Sequence, residues 1–195
     1  LLQGDVGSGK TIVALTSILN VINSKFQVAF MAPTEILAQQ HYNLAKSLIP
    51  DNVKIDILTS KTDNKIRKKI INDLENHQID LLIGTHSLFQ NKINYRKLGL
   101  IIIDEQHKFG VKQRKKLSDK GGKNCDILVM SATPIPRTMI MTIFGDMDVS
   151  IIKSKPKNRK EITTLSKLDK KINEILEFLK KQITNGNQIF WVCPL

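Results

Sequence analysis

The sequence predicts an α/β domain whose mainly parallel central sheet is flanked by helices. Three observations predict it. From Leu1 to Ile152, short apolar runs alternate with segments of helical periodicity, the pattern of repeated βαβ units. Several of those runs are near-continuous in apolar residues, as strands covered on both faces must be. Glycine, acidic and hydroxyl-bearing residues directly follow the runs, where an open α/β sheet places its ligand sites.

The elements follow in chain order. Leu1-Leu2-Gln3 reads as the end of a strand. Ile12, Leu15, Leu19 and Ile22 then fall at steps of three, four and three, one face of a helix. Gln27–Ala32 is a buried strand closed by Pro33. Thr34 can cap a helix with Leu37, His41, Leu44 and Leu48 along one face. Val53–Leu58 alternates as a strand, and Lys65–Asn76 is a basic helix with Ile66, Ile70 and Leu74 inward. Asp80–Gly84, Gly99–Ile103 and Asp126–Met130 are further apolar strands. They lead into Thr85-His86-Ser87, Asp104-Glu105-Gln106-His107 and Ser131-Ala132-Thr133 respectively. Pro134 and Pro136 mark a sharp exit; a helix around Arg137–Ile143 and a strand near Val149–Ile152 complete the unit.

Composition shifts at Lys153–Lys160 (KSKPKNRK), which reads as an inter-domain linker. After it come a strand at Ile162–Leu165, a helix with Ile172, Ile175, Leu176, Leu179 and Ile183 inward, an Asn185-Gly186 stop and a strand at Gln188–Cys193. One such unit is too small to bury its own sheet, so it is expected to open a second, truncated domain. The expected division is 1–152, a basic linker at 153–160, and 161–195. No leader precedes Leu1 and both ends read as cut, so a piece of a longer protein is expected.

The chemistry starts at Gly4-Asp5-Val6-Gly7-Ser8-Gly9-Lys10-Thr11, which reads G-x-x-x-x-G-K-[ST] between a strand and a helix. Gly7 and Gly9 permit backbone angles that a Cβ forbids, so successive N–H groups can turn around an anionic phosphate. Lys10 supplies a point charge for the β- and γ-phosphates of a nucleoside triphosphate, and the Thr11 hydroxyl can ligate Mg²⁺. Asp104 and Glu105 supply the complementary half. A carboxylate at a neighbouring strand end can hold Mg²⁺, which suits Asp104, and the adjacent one can deprotonate the attacking water, which suits Glu105. Gln106 and His107 can sense the γ-phosphate and pass its loss to Ser131 and Thr133 at the next strand end. His41 and His77 read as ordinary histidines satisfied by backbone carbonyls.

Bulk properties narrow the field. The formal charge of +12 suits a polyanion partner. Lysine outnumbers arginine 25 to 5 among many Ile and Asn, so a solvated lysine surface from an AT-rich genome accounts for the charge equally well. No apolar run is long enough to span a membrane. Cys125 and Cys193 make neither a disulfide framework nor a zinc site, and a reducing cytoplasm is the expected compartment.

In this order and spacing, GDVGSGKT, APTEILAQQH, IGTHSLFQ, DEQHKFGVKQR and MSATPIPRTM resemble the superfamily 2 helicases, most of all the RecG family of bacterial branched-DNA helicases. Transcription–repair coupling translocases and primosomal helicases share much of the pattern, typically with Glu rather than Gln before the His. Lys108 departs from the usual Arg, which keeps the charge but loses a planar fork. The resemblance covers nearly the whole chain.

It implies a RecA-like ATP-binding motor domain, the opening of a second one, and an ATP- and Mg²⁺-dependent motor that remodels branched DNA in a bacterial cytoplasm, with a monomer expected. Lys10, Asp104, Glu105, Gln106 and His107 would then be catalytic. Pro33, Thr34, Glu35, Gly84, Thr85 and His86 would contact the DNA backbone, and Ser131, Ala132 and Thr133 would couple the two sites. Lys112, Arg114, Lys115 and Lys116 offer either a further phosphate contact or a solvated basic face. The family's wedge domain would precede Leu1 and its arginine fingers would follow Leu195, so this piece alone is expected to turn over ATP poorly. Two other classes stay open at this point: a metabolic P-loop kinase, and a nucleotide-gated scaffold without turnover. The Asp-Glu-Gln-His and Ser-Ala-Thr strand ends argue against the first, and an intact Lys10 and Glu105 against the second.

Overall fold

The first compact unit is built in the order β1 (Leu2–Gly4), α1 (Lys10–Asn23), β2 (Gln27–Met31), α2 (Glu35–Leu48), β3 (Ile55–Leu58), α3 (Asn64–Glu75), β4 (Leu81–Gly84), a 3₁₀ turn (His86–Phe89), β5 (Leu98–Asp104), β6 (Asp126–Ser131) and β7 (Ser150–Ile152). The structure is a computed structural model that describes residues 1–90, 92–104, 125–133, 147–154 and 162–193. Within them, seven strands pair in parallel in the order β3-β4-β2-β5-β6-β1-β7. The expected α/β architecture is therefore present, with every expected strand of this unit in place. The expected helix around Arg137–Ile143 lies outside the described residues.

The sheet is buried on both faces, as its apolar runs require. Ala29, Met31, Leu82, Ile101 and Ile103 point into one cluster with Ile70 and Leu74 of α3. Val28, Phe30, Leu81, Ile83 and Ile102 point into the other with α1 and α2. The alternation along β2 and β5 divides adjacent residues between the two layers.

The helices bury the expected faces in part, with Leu15, His41, Ile70 and Leu74 inside and Leu19, Ile22 and Leu37 packed against the core, but some of the expected residues stay outside. In α1 the buried residues are Ala14, Leu15 and Ile18, while Ile12 is half exposed. In α2 they are Ala38, His41 and Ala45, while Leu44 and Leu48 face outward. In α3, Ile70 and Leu74 are buried but Ile66 is not. One cause serves the first two helices: alanines let a helix backbone approach the sheet closely, so they carry the inward stripe. For α3, Ile66 in the first turn stays exposed while Arg67 of the same turn bonds the Thr59 carbonyl.

One buried polar side chain joins three elements. Gln27 is fully buried. Its Nε2 donates to the carbonyls of Leu74 (2.9 Å) and Ile79 (2.8 Å), and its Oε1 accepts from Lys97 N (3.0 Å). These bonds tie the amino end of β2 to the exit of α3 and the entry of β5. They also give the Ile79 carbonyl and the Lys97 N–H a partner.

Gly84 shows how tightly the strand ends are packed. A Cβ there would meet the Leu58 carbonyl oxygen at 2.1 Å, so no side chain fits between β3 and β4. Cys125 and Cys193 are free thiols. Burial, with Asp126 adding to it, pushes the Cys125 thiol up to about 11, which keeps it protonated and unreactive at neutral pH.

The chain divides into two compact units, Leu1–Lys157 and Asn158–Leu195. The second carries a 3₁₀ turn (Asp169–Lys171) and α4 (Ile172–Thr184). The expected strands at 162–165 and 188–193 do not form among the described residues, and α4 buries no side chain. Ile172, Leu176 and Ile183, expected inward, are exposed, while Ile175 and Leu179 are intermediate. The physical reason is the one anticipated from size: a strand without a partner leaves its backbone groups unpaired, and without a sheet the helix has nothing to cover.

Candidate nucleotide and nucleic-acid site

Parallel register brings the candidate residues to one edge. Leu58 is level with Gly84, Gly84 with Met31, and Met31 with Ile103. On the other side, Met130 is level with both Leu2 and Asp104. The strands carrying the phosphate loop and Asp104 are thus separated by one strand, β6, or about 10 Å. The Pro33-Thr34, Gly84-Thr85 and Ser131-Thr133 segments leave the same edge.

The loop between β1 and α1 has the shape that its glycines permit. Gly7 and Gly9 lie in the left-handed region at φ 77 and 96, and Gly9 is the N-cap of α1. No side chain caps that helix, and its first turn holds no acidic residue. An N-terminus with free N–H groups and a positive dipole end favours an anion. Lys10 Nζ donates to the carbonyls of Gly4 (2.7 Å) and Asp5 (3.0 Å), drawing the loop across its own helix. Ser8 N donates to the Asp5 carbonyl (3.1 Å), while Val6 N donates to Oδ1 of its neighbour Asp5 (2.8 Å). A Cβ on Gly4 would lie 2.5 Å from the Ser8 hydroxyl and 3.1 Å from the Ile152 Cβ, so a side chain at position 4 would force Ser8 to turn. Val6 projects outward, 71% exposed. Thr11, on the first turn of α1, is half buried.

Asp104 closes β5 and is buried, 9% exposed. Its Oδ2 lies 2.8 Å from Nε2 of His41, which α2 brings to the sheet. The His41 ring also rests against Phe30, with centroids 4.6 Å apart. The expectation for His41 is corrected here: its partner is the Asp104 carboxyl at the end of β5, not a backbone carbonyl. The available signal was its place beside Ala38 and Ala45 on the inward face of the helix that follows β2. His77 sits just after α3 with φ 59, and its backbone N–H donates to the Leu74 carbonyl (3.2 Å).

The remaining segments are locally ordered by their own side chains. Thr34 caps α2, its Oγ1 accepting from Leu37 N (3.2 Å). Glu35 accepts from the Ser60 hydroxyl and pairs with Lys61 Nζ at 3.2 Å. The Ser60 hydroxyl first, then Lys61, holds the Glu35 carboxyl below the usual carboxylate range. Glu35 thus braces α2 to the loop after β3. Arg67 donates to the Thr59 carbonyl (2.8 Å) and steadies that loop from α3. Thr85 is buried and His86 exposed. The buried Ser87 hydroxyl donates to the Leu58 carbonyl (2.8 Å). The Ser131 hydroxyl meets Thr133 Oγ1 at 3.0 Å and accepts from Thr133 N at 3.2 Å, which curls Ser131-Ala132-Thr133 back on its strand end. Ser131 is buried and Thr133 exposed. Glu105, Gln106, His107, Lys108, Lys112, Arg114, Lys115 and Lys116 lie outside the described residues, as do Pro134 and Pro136.

Comparison with known proteins agrees with this geometry. The family described as DEAD/DEAH box helicase matches residues 1–142. The ATP-dependent DNA helicase RecG of Thermotoga maritima is 49% identical over the whole chain, which covers 25% of that protein. RecG of Borreliella burgdorferi is 47% identical, with 28% of its length covered. The chain therefore spans about a quarter of the length of these relatives. A solved structure of RecG bound to a three-way DNA junction superimposes with a TM-score of 0.80 at 44% identity, over 100% of this chain and 26% of that one. A DEAD box protein from the hyperthermophile Methanococcus jannaschii shares the fold, with a TM-score of 0.62 at 24% identity over 78% of this chain and 45% of its own. With its phosphate loop and Asp104 on one edge of a seven-stranded parallel sheet, the chain belongs to the DEAD/DEAH box helicase family.

Proposed function

We propose that this chain is the ATP-binding part of the motor of a RecG-type DNA helicase, a longer bacterial cytoplasmic protein that uses ATP to remodel branched DNA. The observation that carries the reading is the shared edge. A phosphate loop, a buried carboxylate across one intervening strand, and three further strand-end segments lie at one edge of one sheet. The RecG relatives extend the same reading over the whole chain.

Each residue then has a task. The N–H groups of Gly7–Thr11 would surround the β-phosphate, and Lys10 would exchange the Gly4 and Asp5 carbonyls for phosphate oxygens. Mg²⁺ takes one or two carboxylates together with phosphate oxygens, and Thr11 and Asp104 supply that donor set. Among the described residues no cluster of three or more His, Cys, Asp or Glu offers a protein cage for another metal. When bound, the cation neutralises charge that develops on the phosphates. Glu105 would take the proton of the attacking water, and Gln106 and His107 would report the loss of the γ-phosphate to Ser131-Ala132-Thr133.

Pro33-Thr34 and Gly84-Thr85-His86 would meet the DNA backbone through N–H and hydroxyl groups, which bind phosphate without reading sequence. Glu35 would act indirectly, by bracing α2. The second unit would open the second motor domain, joined by the basic linker at 153–160. Among the described residues no helix is long and apolar enough to cross a membrane.

The test is ATP hydrolysis by the full-length protein without DNA, with linear duplex, and with a forked junction. Turnover is expected to be low alone, higher on duplex and highest on the fork. Equal rates in all three would discard the motor.

A further inference from the structure

We propose that His41 is a positioning residue of the ATP site, donating Nε2–H to Oδ2 of Asp104 so that Oδ1 is the oxygen presented to the nucleotide-bound cation. The inference rests on the reading of Asp104 as a cation ligand and adds to it a residue that lies far away in sequence.

Four observations carry it. The contact is short, 2.8 Å, and both residues are nine-tenths buried, at 8% and 9% exposure. A carboxylate only accepts hydrogen bonds, so donation from Nε2–H is the arrangement that joins the pair. The ring cannot drift, because it rests on Phe30, which is fully buried and paired in register with Ile102 of β5. Finally, the contact crosses elements: His41 rides on α2, whereas Asp104 ends β5.

Without the imidazole, the Asp104 carboxylate would turn about its broad terminal torsion. Either oxygen could then face the cation, and neither would be held there. With Oδ2 bonded, the carboxylate is fixed before the nucleotide arrives. Ligating carboxylates are commonly oriented by such partners, whose loss weakens metal binding about 10- to 100-fold. His41 touches neither nucleotide nor water in this account; it acts through Asp104. Because α2 begins at the Thr34 cap and the Glu35 brace, the helix that orients Asp104 also carries a proposed DNA contact.

A buried carboxylate needs some partner for stability alone, and that simpler role makes a different prediction. His41→Phe keeps a ring against Phe30 and removes the donor. His41→Gln places an amide N–H near the position of Nε2. The measurement is Mn²⁺ affinity in the presence of ADP, read from the paramagnetic resonance of free Mn²⁺ with the full-length protein, alongside thermal melting without metal.

His41→Phe is expected to weaken Mn²⁺ binding at least about tenfold, and His41→Gln to stay within about threefold of wild type. Should His41→Phe fail to fold, His41→Asn, whose amide falls short of Oδ2, carries the same expectation of weakened binding. Wild-type Mn²⁺ affinity in His41→Phe with a lowered metal-free melting temperature would overturn the proposal, as would equal weakening in His41→Phe and His41→Gln. An Asp104→Ala arm separates the two levels. If Asp104→Ala weakens Mn²⁺ binding and His41→Phe does not, positioning alone is refuted. If Asp104→Ala binds Mn²⁺ as wild type does, the reading of Asp104 as a ligand falls, and the proposal with it.

Discussion

Replacing Glu105 with Gln is expected to lower ATP turnover by about two to four orders of magnitude while leaving nucleotide affinity within about threefold. The carboxamide keeps the size and hydrogen-bonding reach of the carboxylate but cannot accept a proton from the attacking water. Glu105 directly follows Asp104, the last residue of β5, on the edge that bears the phosphate loop. Single-turnover hydrolysis and binding of a fluorescent ADP analogue would be measured side by side with the full-length protein. Retained turnover would place the base elsewhere. Lost binding would mean that the residue holds the nucleotide or its cation instead.

Lys10→Ala is expected to act on both quantities. In the loop the ammonium is shared between the carbonyls of Gly4 and Asp5, so it also shapes the cradle. Once phosphates enter, its bonds become charge-assisted on both sides. A hydrogen bond to a charged group contributes about 1.5–3 kcal/mol, so affinity should fall roughly 10- to 100-fold. Turnover at saturating ATP should fall by about a further two to three orders of magnitude, as it does when a donor to developing charge is removed. Lys10→Arg should not rescue it, because a planar fork does not fit a cradle shaped around a point charge. Wild-type affinity in Lys10→Ala would show that the N–H groups alone bind the phosphates.

Much of this was legible in the residues themselves. The alternation of apolar runs and helices gave all seven strands of the first unit: the central ones through continuous apolar runs, β3 through alternation, and the exposed edge strand β7 as a short run at the end of the unit. The shape of the loop between β1 and α1 was legible because it is local: Gly7 and Gly9 take positive φ, and Lys10 bonds back to the Gly4 and Asp5 carbonyls a few residues away.

What stayed hidden depends on distance through space. The inward faces of α1 and α2 are set by Ala14, Ala38 and Ala45, which bury close to the sheet although they add little to an apolar pattern. The His41–Asp104 contact joins residues 63 positions apart, and no spacing rule connects them. The second unit failed in the opposite direction. Its strands were read from β-rich residues such as Phe190, Trp191 and Val192, which are exposed here, and composition cannot supply the neighbouring strand that pairing requires.

The central claim is that the phosphate loop and the Asp104-Glu105 strand end are two parts of one ATP site. The most direct test is a crystal structure of the full-length protein with Mg²⁺ and a non-hydrolysable ATP analogue. The account predicts Lys10 Nζ moved from the Gly4 and Asp5 carbonyls onto phosphate oxygens. It also predicts the cation between the Thr11 hydroxyl and Asp104, directly or through water, with His41 still on Oδ2 and Glu105 facing the γ-phosphate. A nucleotide seated away from the loop, or a cation that neither Thr11 nor Asp104 approaches, would contradict it.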